Sequence, residues 1–178
     1  MTHPIFDTLK SFGRCLTALE IQQLLEEFPS ALEEMTPHIK FDEERYFRIP
    51  ILSTEYFSTL LLTWRSGQRS PIHNHKGSAC GVKVLTGTAT EILFAQSPLG
   101  LLFPRSSNEV NAGEVVVSED ADTHQMANLH NSDLITFHLY SPPLNSMELF
   151  PLSVSSFGDY DRTLAPRPFF PSELAISQ

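Results

Sequence analysis

The sequence predicts a mainly β fold, an antiparallel barrel or jelly roll preceded by N-terminal helices. Three observations carry that expectation. Helical spacing of apolar residues is confined to the first forty positions, short β-rich runs follow from Arg45 onward, and turn signals separate those runs. Many short strands at such spacing suit an antiparallel barrel or jelly roll. A length of 178 residues fits one domain with a helical appendage. With 41% hydrophobic, 10% aromatic and 19% charged residues, the composition is that of a soluble globular chain.

The helical signal is clearest from Thr17, where Thr17 and Glu20 form a capping box and Ile21, Leu24, Leu25 and Phe28 follow at helical spacing. Pro29 and Pro37 punctuate this region. The β-rich runs lie at 56–64, 81–85, 88–94, 114–118 and 133–140. Between them stand Ser66-Gly67, Thr86-Gly87, Ala112-Gly113 and Asn131-Ser132-Asp133, all turn formers. After Pro151 the chain loses regularity, and Pro166, Pro168 and Pro171 around Phe169-Phe170 suggest an extended strap. The expected organisation is therefore a helical segment at 1–44 packed on a barrel at 45–150, with a strap at 151–178, all within one domain.

Twelve Lys and Arg against 21 Asp and Glu give a formal charge of −9, which argues against a nucleic-acid partner because phosphate binding needs a basic face. The longest apolar run, around Leu60-Leu61-Leu62, falls far short of the roughly 20 residues that span a bilayer. The start, Met-Thr-His-Pro-Ile-Phe-Asp, lacks the basic-then-apolar pattern of a signal peptide. A cytoplasmic monomer with no membrane partner is expected. Cys15 and Cys80 are too few for a disulfide framework and form no Cys-x-x-Cys pair, so any metal site must rest on the seven histidines.

His73 and His75 stand two apart, so in a strand both imidazoles would face one side and reach one metal. Gly67 lies six residues before His73 and Gly87 twelve after His75, placed to make the turns of a hairpin round a barrel mouth. Gly113, His124 and Asn128 repeat that arrangement downstream. His3, His38, His130 and Cys15 stand in terminal, loop or apolar contexts and are read as non-ligands. In the run 136–140, Thr136, His138 and Tyr140 share one strand face, while Phe137 and Leu139 take the other. A hydroxyl, an imidazole and a phenol in a row can pass a hydrogen bond along that face and hold the phenol in one orientation.

These residues resemble the two motifs of the cupin superfamily. Gly67, His73, His75 and Gly87 match the first in spacing, with Cys80 where the glutamate ligand usually stands. Gly113, His124 and Asn128 match the second, with Glu119 and Ala121 replacing its proline and glycine. The resemblance implies a cupin antiparallel jelly-roll barrel. Without the carboxylate, three neutral imidazoles leave the dipositive charge of a metal uncompensated, which favours anionic ligands such as a thiolate. The alternative is that Cys80 itself closes the site as a fourth ligand.

A cysteine at the glutamate position marks the thiol dioxygenase branch of the cupins, and the chain resembles the cysteine dioxygenase family over about residues 45 to 150. Tyr46-Phe47-Arg48 is similar to the family's Tyr-x-Arg, Trp64 stands nine residues before His73 as it does there, and Thr136-Phe137-His138-Leu139-Tyr140-Ser141-Pro142-Pro143 resembles the Ser-x-His-x-Tyr-Ser-Pro-Pro segment. Thr136 replaces that serine, and Ala79 stands where animal members have histidine. The resemblance implies Fe(II) on His73, His75 and His124, and L-cysteine and O2 as partners, with cysteine sulfinate as product, a step of cysteine catabolism. Arg48 would bind the substrate carboxylate with help from Tyr46. Tyr140, oriented by His138 and Thr136, would act at the reacting centre. It further implies a thioether cross-link between Cys80 and Tyr140 and a cis Ser141-Pro142 bond. The rival readings are a dioxygenase of another small thiol such as 3-mercaptopropionate, whose branch typically has glutamine in place of Arg48, and a non-catalytic metal-binding cupin.

Overall fold

In the computed structural model, described for residues 4–28, 37, 39–119 and 122–151, the amino-terminal helical pattern becomes two short helices, α1 (Pro4–Ser11) and α2 (Ala18–Glu27). The capping box closes as its spacing predicts. Thr17 Oγ1 accepts from Glu20 N at 3.3 Å and Glu20 Oε2 accepts from Thr17 N at 2.9 Å, so two backbone N–H groups at the helix start are satisfied. Arg14 forks the same carboxylate, and these donors hold its pKa near 2.

Ten strands follow among the described residues: β1 (Phe47–Ser53), β2 (Ser58–Trp64), β3 (Ile72–Asn74), β4 (Ala79–Thr86), β5 (Thr88–Gln96), β6 (Leu102–Asn111), β7 (Val115–Ser118), β8 (Thr123–Ala127), β9 (Leu134–Ser141) and β10 (Glu148–Phe150). They pair antiparallel into two five-stranded sheets, ordered β1-β2-β9-β4-β7 and β10-β3-β8-β5-β6. The five β-rich runs of the sequence correspond to β2, β4, β5, β7 and β9. The remaining strands lack a local signal for identifiable reasons. β6 is largely exposed and polar and carries Pro104, and it is a strand because β5 pairs with it along its length. β1 carries Pro50, tolerated because β1 is an edge strand with a register shift between Pro50 and Leu52. β3 and β10 are three residues each.

All eight residues of β9 are buried, because both of its faces are covered. Phe137 and Leu139 face outward into a cluster formed with the two helices, where Phe28 stacks on Phe137 at 4.4 Å and Phe6 meets both rings edge-on. Leu134 and Tyr140 face the barrel interior with Trp64, Val82 and Met126. The Ser141-Pro142 bond is cis, as the resemblance implies. The expected strap with Pro166, Pro168 and Pro171 lies outside the described residues, as do His3, His38 and Ala121. No helix among the described residues is long and apolar enough to cross a membrane.

Two residues of β4 hold α2 against the sheet. Gly81 has no side chain where Ile21 and Leu25 press in, and a Cβ there would come within 2.3 Å of Ile21 and 2.6 Å of Leu25. Two positions on, the buried Lys83 Nζ donates to the carbonyls of Leu25 at 2.9 Å, Glu26 at 3.3 Å and Phe28. A cation thereby satisfies the open carbonyls at the helix end. Gly81→Ala is expected to lower the unfolding free energy by about 1–3 kcal/mol through overpacking, read as a lower denaturant midpoint at unchanged slope. Gly13→Ala, where nothing lies within 4 Å of the added carbon, is the control expected to stay within about 0.5 kcal/mol.

Candidate metal centre

The second sheet brings three histidines together. His73 of β3 is the direct cross-strand partner of His124 on β8. His75 lies one residue past the end of β3, so strand alternation alone does not place it. The turn does: Lys76 (φ 45°) and Gly77 (φ 98°) are both left-handed and reverse the chain towards β4. The nitrogen donors of the three imidazoles lie within 4.8 Å of one another, and all three side chains are buried. His75 Nε2 and His124 Nε2 are 3.3 Å apart.

Hydrogen bonds orient two of these rings. His73 Nδ1–H donates to the Pro71 carbonyl at 2.9 Å, and His124 Nδ1–H donates to Glu91 Oε1 at 2.8 Å. Since these partners accept, the Nε2 lone pairs of both rings are left for the interior. Burial, and then repulsion from the neighbouring imidazoles, pushes the pKa of His73 down to about 3 and that of His75 to about 2. His73 and His75 are therefore neutral, and with Nε2 of His75 and His124 3.3 Å apart the three donors can converge on one cation. The donor set fits a divalent metal. Cys80 is not part of the cluster, so the expected alternative of a closed four-ligand site with Cys80 is not what the geometry forms.

Beside the histidines runs a hydrogen-bonded line of side chains. Trp64 Nε1–H donates to Thr136 Oγ1 at 3.0 Å, Thr136 Oγ1 lies 2.8 Å from His138 Nε2, and His138 Nδ1 lies 3.2 Å from the Tyr140 hydroxyl. The indole only donates, which directs the Thr136 hydroxyl hydrogen to His138 Nε2. His138 Nδ1–H then donates to the Tyr140 oxygen, and the phenolic hydrogen is left to point elsewhere. Burial, then the field of Arg48, keeps His138 neutral. Burial, with Cys80 next, raises the Tyr140 phenol well above its ordinary pKa, so it remains an O–H donor. Cys80 of β4 lies directly across from Tyr140, its thiol pushed up by burial.

The third group enters from β1 and the residue before it. Tyr46 stacks on Trp64 at 4.3 Å and lines the same pocket as Arg48, its phenol raised chiefly by burial. Tyr46, Arg48, Cys80, His138, Tyr140 and the three histidines line one pocket. A guanidinium, a phenol and a set of metal donors thus face one small space, which suits a small anion carrying a second, metal-seeking group.

The expected site residues Tyr46, Arg48, His73, His75, Cys80, His124, Thr136, His138 and Tyr140 are all brought together here. Cys15 is exposed and His130 lies 3.3 Å from Glu109, both away from the cluster. Glu91, whose carboxylate holds His124, carries no motif that marks it in the sequence. An acidic side chain within the β-rich run 88–94 reads as solvent-facing, and only the pairing of β5 with β8 places it inside.

A model of the family described as cysteine dioxygenase type I matches residues 8–153. The chain is 32% identical over 142 residues to a Homo sapiens protein named cysteine dioxygenase type 1, covering 74% of this chain and 68% of that one. It is 30% identical over 137 residues to the Danio rerio protein of that name, with the same coverage. Among solved structures it is similar to a double-stranded β-helix protein from Klebsiella pneumoniae at a TM-score of 0.53 and 16% identity, covering 68% of this chain and 88% of that one. A Bacillus halodurans protein superposes at a TM-score of 0.51 and 18% identity, covering 66% and 82%. These structural likenesses bear on the fold alone, and they agree with the cupin barrel.

Thr136→Val removes the hydroxyl between two buried partners and is expected to destabilise the fold by about 1–3 kcal/mol. Thr136→Ser keeps it and should lie close to the original protein. Denaturant titration followed by Trp64 fluorescence compares the two.

Proposed function

The chain belongs to the cysteine dioxygenase type I family and is a thiol dioxygenase on a cupin barrel, and from that premise we propose that it oxidises L-cysteine with O2 to cysteine sulfinate at Fe(II). The observation that carries this reading is Arg48 in the same pocket as the three-histidine cluster. His73, His75 and His124 would hold the metal through Nε2. Iron(II) there supplies the positive charge that keeps a substrate thiol ionised and the redox capacity that lets dioxygen react with it. Both oxygen atoms end on the substrate sulfur, so no further reductant enters the balance.

The protein's own groups supply binding and orientation. Arg48 pairs with the substrate carboxylate in a charge-assisted contact. Tyr46, braced on Trp64 in the same pocket, supports that contact. Tyr140 offers its phenolic hydrogen to the reacting atoms, because the line from Trp64 through Thr136 and His138 occupies its oxygen from the other side. Burial of the site keeps these interactions in a low-dielectric setting where they are stronger than in water.

Within this reading Cys80 and Tyr140 join as a thioether. The thiol S–H and a ring C–H are lost, a C–S bond forms, and dioxygen accepts the two electrons. The support is their direct opposition across β4 and β9, both side chains buried in the same interior cluster. Peptide mapping after many turnovers should show a Cys80–Tyr140 peptide two hydrogens lighter than the sum of its parts, and finding only the separate peptides would refute the linkage.

Arg48→Ala is expected to weaken cysteine binding by roughly 2–5 kcal/mol, the range for truncating one partner of a buried charge pair. Oxygen uptake by the iron-loaded protein with cysteine, 3-mercaptopropionate and cysteamine tests the substrate class. Cysteamine lacks the carboxylate and should be poorly used; equal rates with all three, or unchanged kinetics in Arg48→Ala, would contradict the role given to Arg48.

A further inference from the structure

We propose that Glu91 is a positioning residue of the metal centre, its carboxylate acting through His124 to supply the negative charge that the three imidazoles lack. The proposal rests on the metal reading of the histidine cluster and adds to it a charge that no ligand provides.

Three observations converge. Glu91 is 3% exposed, and a carboxylate taken so far from water needs a partner. It finds one in His124 Nδ1, 2.8 Å from Oε1, on the neighbouring strand. Its backbone sets the reach: Glu91 on β5 is the cross-strand partner of Met126 on β8, two residues along from His124. Side chains two apart on a strand point to the same face, so the glutamate runs diagonally to the ring. Glu91 is not itself within the ligand cluster, so it meets the metal's charge only at one remove.

The three ligands are thereby unequal. His73 is anchored by a neutral carbonyl, and His75 Nδ1 is buried without a hydrogen-bond partner among the described residues. His124 alone donates to a carboxylate. An imidazole whose N–H donates to an anion is a more basic ligand at its other nitrogen, and the bond also fixes the tautomer and the ring plane. The carboxylate faces Nδ1 of His124, not the Nε2 turned towards His75. It offsets part of a dipositive charge from there and leaves the pocket side, where Arg48 stands, for an anionic ligand. It also favours a higher charge on the metal over a lower one, which sets the direction of a redox couple.

Co(II) titration under anaerobic conditions, followed by its visible absorption and by competition with a chelator, tests the proposal on the full chain. Glu91→Gln retains size and an oxygen acceptor but loses the charge, and it is expected to weaken Co(II) binding by about 10-fold. Glu91→Ala loses both and is expected to weaken it by about 100-fold, the span seen for outer partners of metal ligands. In the iron-loaded protein the Fe(III)/Fe(II) potential of Glu91→Gln should move to a more positive value. A merely structural glutamate would leave that potential unmoved. Unchanged affinity in Glu91→Gln, or lost affinity with an unchanged potential, overturns the proposal. Glu91→Gln decides alone if Glu91→Ala fails to fold. Absence of Co(II) binding in the unsubstituted protein would instead overturn the metal reading itself, as would a His73→Ala variant that binds as well as the original.

Discussion

The antiparallel register between β4 and β9 is the constraint on which the rest of the structure depends. Cys80 opposes Tyr140, Val82 opposes His138 and Val84 opposes Thr136, and every one of these points into the barrel. The alternate set, Gly81 with Leu139 and Lys83 with Phe137, points at the helices. Because side chains alternate with period two, a slip of one residue would move the hydroxyl, imidazole and phenol under α2 and turn Phe137 and Leu139 into the pocket. The slip is opposed twice over, by the apolar cluster on one face and by the hydrogen-bonded line on the other. Such double specification suits a strand that is wholly buried yet carries three polar side chains.

The helices are part of this device. Ile21 and Leu25 fit against the bare backbone of Gly81, and Lys83 closes the carbonyl end of α2, so the outer face of the sheet presses back on the strands that carry the site. A catalytic constellation needs side chains held by packing to small tolerances. Here the support comes from the far side of the same sheet.

Within the barrel, electrostatics is arranged by position. Three imidazoles converge at one point, the guanidinium of Arg48 lines the same pocket, and the carboxylate of Glu91 lies behind His124. The negative charge of the chain as a whole is irrelevant at this scale. What a small substrate meets is a pocket rich in positive charge once a metal is held, with the compensating carboxylate away from the open side.

The sequence by itself determined the local features whose physics is short-range. The Thr17 capping box, the β-rich runs of β2, β4, β5, β7 and β9, and the shared face of Thr136, His138 and Tyr140 were all legible from spacing. So were the two histidine motifs, whose glycines and histidines keep their intervals although Cys80, Glu119 and Ala121 depart from the pattern. Tertiary structure decided what depends on partners distant in the chain. β6 is a strand because β5 pairs with it, and His75 reaches the cluster through a turn at Lys76 and Gly77 rather than by strand alternation. Trp64 Nε1 meets Thr136 72 residues away in sequence, and Glu91 reaches His124 across 33. Neither interval is a period of any helix or strand, so no spacing rule reveals it. Burial makes the same distinction: a glutamate in a strand pattern reads as a solvent-facing residue until the second sheet shows that its carboxylate lies inside and against the imidazole of His124.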